Sequence, residues 1–222
     1  MVKGTKLSWI FGMVLIFANS TKSSSQTLAD FFKNSATQLT YLGIDYTQNR
    51  LINNPGGNVN DIRDRLYSKM NDVVLNEMNS SKNYDIGGAF GRKNAINVDI
   101  EAVAANNEKI DFNNIMSAHK SDFKRLKAAD IANCIAALPL ENKEGIGLVF
   151  IMEGMKKAYN KGYGSVWVTL IDMKEKKVLM AERVEEEAEG FGFRNYWVSV
   201  IRKTIIGIEW SRYKDWKKKY SS

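Results

Sequence analysis

Cysteine, histidine and proline are scarce in this chain: one Cys, one His and two Pro in 222 residues. A lone cysteine excludes an internal disulfide, so packing must supply the stability. Cys134 shares a helical face with Ile131, Ile135 and Leu138, which predicts a small buried hydrophobe rather than a reactive thiol. No Cys follows the N-terminal apolar stretch, so a lipid-anchored lipoprotein is excluded. One His and one Cys cannot build a structural zinc site. His119 stands beside Lys120 in a polar segment with no G-x-S-x-G motif in the chain, and reads as a surface residue. The loop holding Asp111, Asn113 and Asn114 lacks the calcium-loop pattern. Gly145-x-Gly147, Gly162-x-Gly164 and Gly190-x-Gly192 each lack the third glycine of a dinucleotide fingerprint. No catalytic residue, metal or cofactor is therefore expected.

Long apolar runs are also missing. The longest, Leu7 to Ala18, is about twelve residues, against the ~20 that a spanning helix needs. It follows Lys3 and Lys6 and precedes the polar run from Asn19 to Ser25. That order is the anatomy of a secretory signal peptide over 1–20, with the cut expected after Ser20. Export to the periplasm or beyond is the expectation, and nucleic acid is then an unlikely partner. Removing Lys3 and Lys6 lowers the formal charge from +7 by two, to +5. Much of the surplus lies in Arg212, Lys214, Lys217, Lys218 and Lys219, offset there by Asp215. Such a tail either meets an anionic membrane surface or acidic partner, or simply complements the helix dipole; the second is the plainer reading.

What is present is a foldable body. Hydrophobic content of 44% with 11% aromatics excludes wholesale disorder. A leader over 21–39 is expected to dock weakly or not at all, and 40–222 reads as one mixed domain. Thr40 to Thr47 reads as a strand, Asn53 to Asn60 as a turn, and Asp61 to Met78 as a helix with one buried stripe. The region around 87–127 is poorly patterned and reads as an insertion. Ala128 to Leu138 reads as a helix stopped by Pro139. Gly145 to Glu153 predicts a central strand, Ser165–Met173 and Lys177–Val184 a hairpin, and Phe191–Tyr220 one long helix. The expected fold is α+β: a mixed, largely antiparallel sheet with the Asp61 and Phe191 helices packed on one face.

Three surfaces stand out. The first is the aromatic-basic end of the last helix, Trp210, Tyr213, Trp216 and Lys217, as a partner surface. The second is the acidic strip Glu185, Glu186 and Glu187, which meets a cation or basic partner or is merely a solvated strand end. The third is the turn with Gly190, Gly192 and Arg194, whose amides could cradle an anion or which is simply a tight turn. Glu153 ends a very apolar strand. It is either a desolvated acid or, the simpler reading, faces water or pairs with Lys156 or Lys157.

The hairpin tip Leu170-Ile171-Asp172-Met173-x-x-Lys176-Lys177-Val178-Leu179 resembles that of the TolB N-terminal-domain family and related envelope lipoproteins. The likeness covers 41–86 and 145–219. The stretch Gly-Phe-Gly-Phe-Arg-Asn-Tyr-Trp is similar to uncharacterised exported proteins of Gram-negative bacteria. The resemblance implies a protein-interaction or assembly role in the envelope. The expectation is a non-enzymatic binding or adaptor module contacting an envelope protein or peptide. A small apolar-ligand carrier, and a hydrolase using Glu153 and Asp172, are the alternatives.

Overall fold

The computed structural model describes residues 28–53 and 57–221. The expected signal peptide, its cut near Ser20 and the Pro55-Gly56 turn lie outside them. In chain order the elements are α1 (Leu28–Lys33), β1 (Leu39–Asp45), β2 (Arg50–Ile52), α2 (Val59–Asp61), a π turn (Ile62–Leu66) and α3 (Tyr67–Glu77). Then come α4 (Ile86–Ala89), β3 (Ile96–Val98), α5 (Glu101–Asn107), β4 (Met116–Ser117) and α6 (Ala128–Ala136). The chain closes with β5 (Ile146–Ala158), β6 (Lys161–Asp172), β7 (Lys177–Ala188), α7 (Phe193–Gly207), a π turn (Ile208–Arg212) and α8 (Tyr213–Tyr220).

The expectation of a largely antiparallel sheet is overturned. Five strands, ordered β3-β1-β5-β2-β4, pair in parallel, so the architecture is of α/β type. β5 is the axis of the sheet. Residues 146–151 pair with β1 and residues 154–156 with β2 on one edge, and β6 runs antiparallel along the other. Only β5, β6 and β7 form antiparallel ladders. The physical reason is length. β2, β3 and β4 have two or three residues each, too short for an alternating pattern to register, whereas the long strands that can be read are the antiparallel ones.

Helices cover both faces, not one. Leu148, Phe150 and Met152 of β5 with Val166, Val168 and Leu170 of β6 pack under α3 and α7. Val149 and Ile151 with Trp167 and Ile171 face the other way, under α5 and α6. This is the period-two alternation of strand side chains. Gly162 and Gly164 let α7 approach β6 closely: a Cβ on Gly164 would lie 2.6 Å from a Val200 methyl, and one on Gly162 would lie 2.5 Å from the Tyr196 ring.

The leader is described from Leu28 on, and there it docks. Phe31 and Phe32 are fully buried against Phe90, Tyr213 and Tyr220. Arg92 holds the segment by donating to the Phe31 and Asn34 carbonyls, with its guanidinium 3.5 Å over the Phe31 ring. The poorly patterned middle supplies β3, α5 and β4. Its side chains also finish the sheet where strands run out. β3 pairs only with residues 39–41, so the outer edge of β1 beyond them needs other partners. Ile44 N–H donates to Asn71 Oδ1 at 2.8 Å, and Tyr46 N–H donates to Asn107 Oδ1 at 2.8 Å. The Ile44 carbonyl accepts from both carboxamides. Two asparagines thus stand in for a neighbouring strand.

Candidate functional site

A cleft of about 560 Å³ opens at the carboxyl end of β1, where ligands bind in open α/β sheets. Three walls form it. The β1–β2 loop contributes Thr47, Gln48 and Asn49, and the start of β2 contributes Arg50. The end of α5 and the turn after it contribute Asn106, Lys109 and Asp111. α6 contributes Asp130, Asn133 and Cys134, with Leu126 just ahead of it. The volume suits a small ligand. Ile115, Leu126 and Cys134 are buried and give the cleft an apolar base. Its lining holds two cations, Arg50 and Lys109, two carboxylates, Asp111 and Asp130, and five carboxamides, of which Asn49 and Asn106 are buried.

Several of these side chains are held in place. Asp111 accepts from the Asn113 amide and from Asn114 Nδ2, both at 2.9 Å. Asn49 donates to the Tyr67 hydroxyl at 2.8 Å, while its own Oδ1 is buried with no hydrogen-bond partner. Asn106 reaches behind the cleft to Asp45 at 3.2 Å. Asp45 is buried, and that desolvation pushes its pKa up, against bonds from Thr47 and Asn106 that pull it down. Burial also pushes the Cys134 thiol up to about 12, so it is a neutral lining group and not a nucleophile.

Glu153 supports this cleft from behind. The β5–β6 register shifts between Met152 and Gly154, which leaves Glu153 as the extra residue of a β-bulge. Its fully buried carboxylate accepts from the Leu126 amide, Ser165 Oγ, Trp167 Nε1 and Arg183 Nε. Arg183 also donates to the Leu126 carbonyl and lies 4.6 Å over the Trp167 ring. Arg125 donates to the Gln48 carbonyl at 2.7 Å and to the Glu153 carbonyl at 3.2 Å. The 125–126 segment is therefore pinned from both sides. Neither water nor Lys156 or Lys157 satisfies Glu153, contrary to the simpler expectation; Arg183, thirty residues on, does.

The residues proposed for chemistry do not converge. Asp172 pairs opposite Ile146, seven residues along β5 from Glu153, or ~23 Å. It accepts from Glu175 N–H at the β6–β7 turn. His119 is exposed, with its N–H on Ser117 Oγ, and does not line the cleft.

Of the aromatic end, Trp210 is 83% exposed and Lys217 is exposed. Trp216 is buried and Tyr213 half-buried, both packed on Phe90, and Tyr213 accepts from Arg92 at 3.0 Å. The acids of the strip are each paired: Glu185 with Lys124, Glu186 with Arg212 and Glu187 with Lys161. Gly190 and Gly192 both have positive φ ahead of α7, and the exposed Arg194 donates to Asn195 Oδ1. Among the described residues no cluster of His, Cys, Asp or Glu could hold a metal ion, and no helix is long and apolar enough to cross a membrane.

No family model matches the chain, and no curated protein matches it. A solved structure, that of the hypothetical protein CT253 from Chlamydia trachomatis, is similar with 11% sequence identity and a TM-score of 0.37. The match covers 82% of this chain and 98% of that one.

The cleft was hidden in the sequence because its residues come from segments spread over 47–50, 106–115 and 126–137. The one local signal was the run of asparagines after Val103, which reads as loop composition until α5 sets them against β1.

Proposed function

We propose that this chain is a non-enzymatic binding module of the cell envelope that takes a short peptide segment of a partner protein in the cleft at the carboxyl end of β1. The observation that carries this reading is the make-up of the cleft. Two cations and two carboxylates line it together with carboxamides and an apolar base, a match for a peptide with charges of both signs. A peptide backbone needs donors and acceptors in alternation, which carboxamides supply. The charged and carboxamide side chains of the lining favour a charged ligand over the apolar one of the carrier reading. The hydrolase reading loses its acid: Glu153 is saturated by four donor residues and is shut away from solvent. The envelope setting rests on the N-terminal pattern of charge, apolar stretch and small polar residues.

The test is selection from a pool of random tetrapeptides over the immobilised protein, read by mass spectrometry. Retention of intact peptides carrying both an acidic and a basic group supports the reading. Retention of none, or release of cleaved products, overturns it.

A further inference from the structure

Two aromatic rings stand in solvent at one end of the molecule, and the backbone holds them there. Tyr159 is 98% exposed and Phe191 93% exposed. Tyr159 and Asn160 form the two-residue turn between β5 and β6, closed by the Ala158–Lys161 pair, with φ of 53° and 62°. Positive φ at both positions is the type I′ turn, whose usual occupants are Asn and Gly. A bulky aromatic there is an outlier, and burial does not compensate it. Phe191 sits between Gly190 at φ 111° and Gly192 at φ 74°. The two turns are neighbours: Lys157 and Asn160 border one shallow depression with Gly190, Phe191 and Phe193.

The charge around these rings is one-sided. Glu187 is neutralised by Lys161, and Glu189 by Arg202 and Lys203. Lys157 and Arg194 are exposed and have no carboxylate partner among the described residues. The pair of turns is therefore apolar at its tips and cationic at its base. Aromatic side chains favour the headgroup zone of a bilayer, and lysine and arginine beside them meet anionic lipid. A protein groove is a poorer fit, because both rings project outward from tight turns.

We propose that the Tyr159 and Phe191 turns form a peripheral membrane contact that seats on an anionic lipid surface. It is separate from the peptide cleft and does not depend on that reading. It also lies at the opposite end of α7–α8 from Lys217, ~36 Å away along the helix.

The test is hydrogen–deuterium exchange of the full chain on vesicles of phosphatidylglycerol and phosphatidylethanolamine, against phosphatidylcholine alone. A local readout is needed because the apolar stretch at 7–18 would itself bring the chain to vesicles. Exchange over 157–162 and 189–195 should slow by roughly tenfold on the anionic vesicles only. The slowing should vanish in Tyr159→Ser/Phe191→Ser and shrink in Lys157→Glu/Arg194→Glu, with thermal melts unchanged. Unchanged exchange on anionic vesicles overturns the proposal, and so does slowing that survives the aromatic pair's removal. Slowing that appears only with a lipid-free protein extract also overturns it, and assigns the surface to a protein.

Discussion

Arg183 on β7 donates its Nε to Glu153 Oε2 on β5 at 2.9 Å, across the intervening strand β6. Trp167 lies beneath the guanidinium and donates to the same carboxylate oxygen at 3.0 Å. The pair locks three strands and carries Leu126 into the cleft wall.

Removing one member of a buried ion pair leaves the other uncompensated, at about 3–5 kcal/mol. Glu153→Ala should therefore lower the unfolding free energy in urea by about that much, the Arg183 side chain being a quarter exposed and so toward the lower end. Glu153→Leu with Arg183→Met should recover only part of the loss, because the unpaired charge is gone but the Leu126 amide, Ser165 Oγ and Trp167 Nε1 still lack their acceptor. A double variant as unstable as the single would show that the bonds to Leu126 matter more than the charge.

Asp45 gives the chain a pH dependence of a stated sign. Its pKa is raised in the fold by burial, so the native state holds the proton more tightly than the unfolded chain, where the value is about 3.9. The stability this group contributes is complete below about pH 4 and is lost as pH rises through the higher folded value. Asp45→Asn has no such slope. Urea unfolding of both proteins from about pH 4 to 7 should show the wild type losing stability relative to the variant; a constant difference would contradict it.

The asparagines beside β1 should be unequal to their loss. Asn71→Ala leaves the Ile44 N–H without its acceptor, while the Ile44 carbonyl keeps its bond from Asn107 at 2.9 Å. The expected cost is about 1–3 kcal/mol, the penalty of one buried unsatisfied donor. Amide exchange at Ile44 should accelerate in step, and a variant with wild-type exchange there would remove the account of carboxamides as a surrogate strand.

Legibility followed element length. β5, with ten consecutive buried residues, and the β6–β7 hairpin were plain, as were α6 and the long C-terminal helix. The helix after Asn58 was visible too; its cap is the Asn58 side chain, which accepts from the amides of Asn60 and Asp61. The parallel pairing was not visible, because β2, β3 and β4 are fixed by neighbours distant in sequence. Glu153 was noticed for its apolar setting, but its partner lies thirty residues away on another strand, and no spacing rule connects the two. Trp216 read as part of a partner surface; it is buried by Phe90, and the Tyr213 beside it by the docked α1.

The cleft itself is the sharpest point of test. Arg50 and Asp130 line it; Asp130 also accepts from the Lys127 N–H at 2.7 Å at the start of α6, so its variant is compared at equal folded fraction. Backbone amide shifts of the chain, followed during titration with the tetrapeptides that the selection retains, should move over 47–50, 106–115 and 126–137. The affinity should fall by about tenfold for each of Arg50→Ala and Asp130→Ala, the ~1.4 kcal/mol of one charge-assisted contact. Shifts confined to other surfaces, or affinity indifferent to both substitutions, would contradict a peptide site at the end of β1.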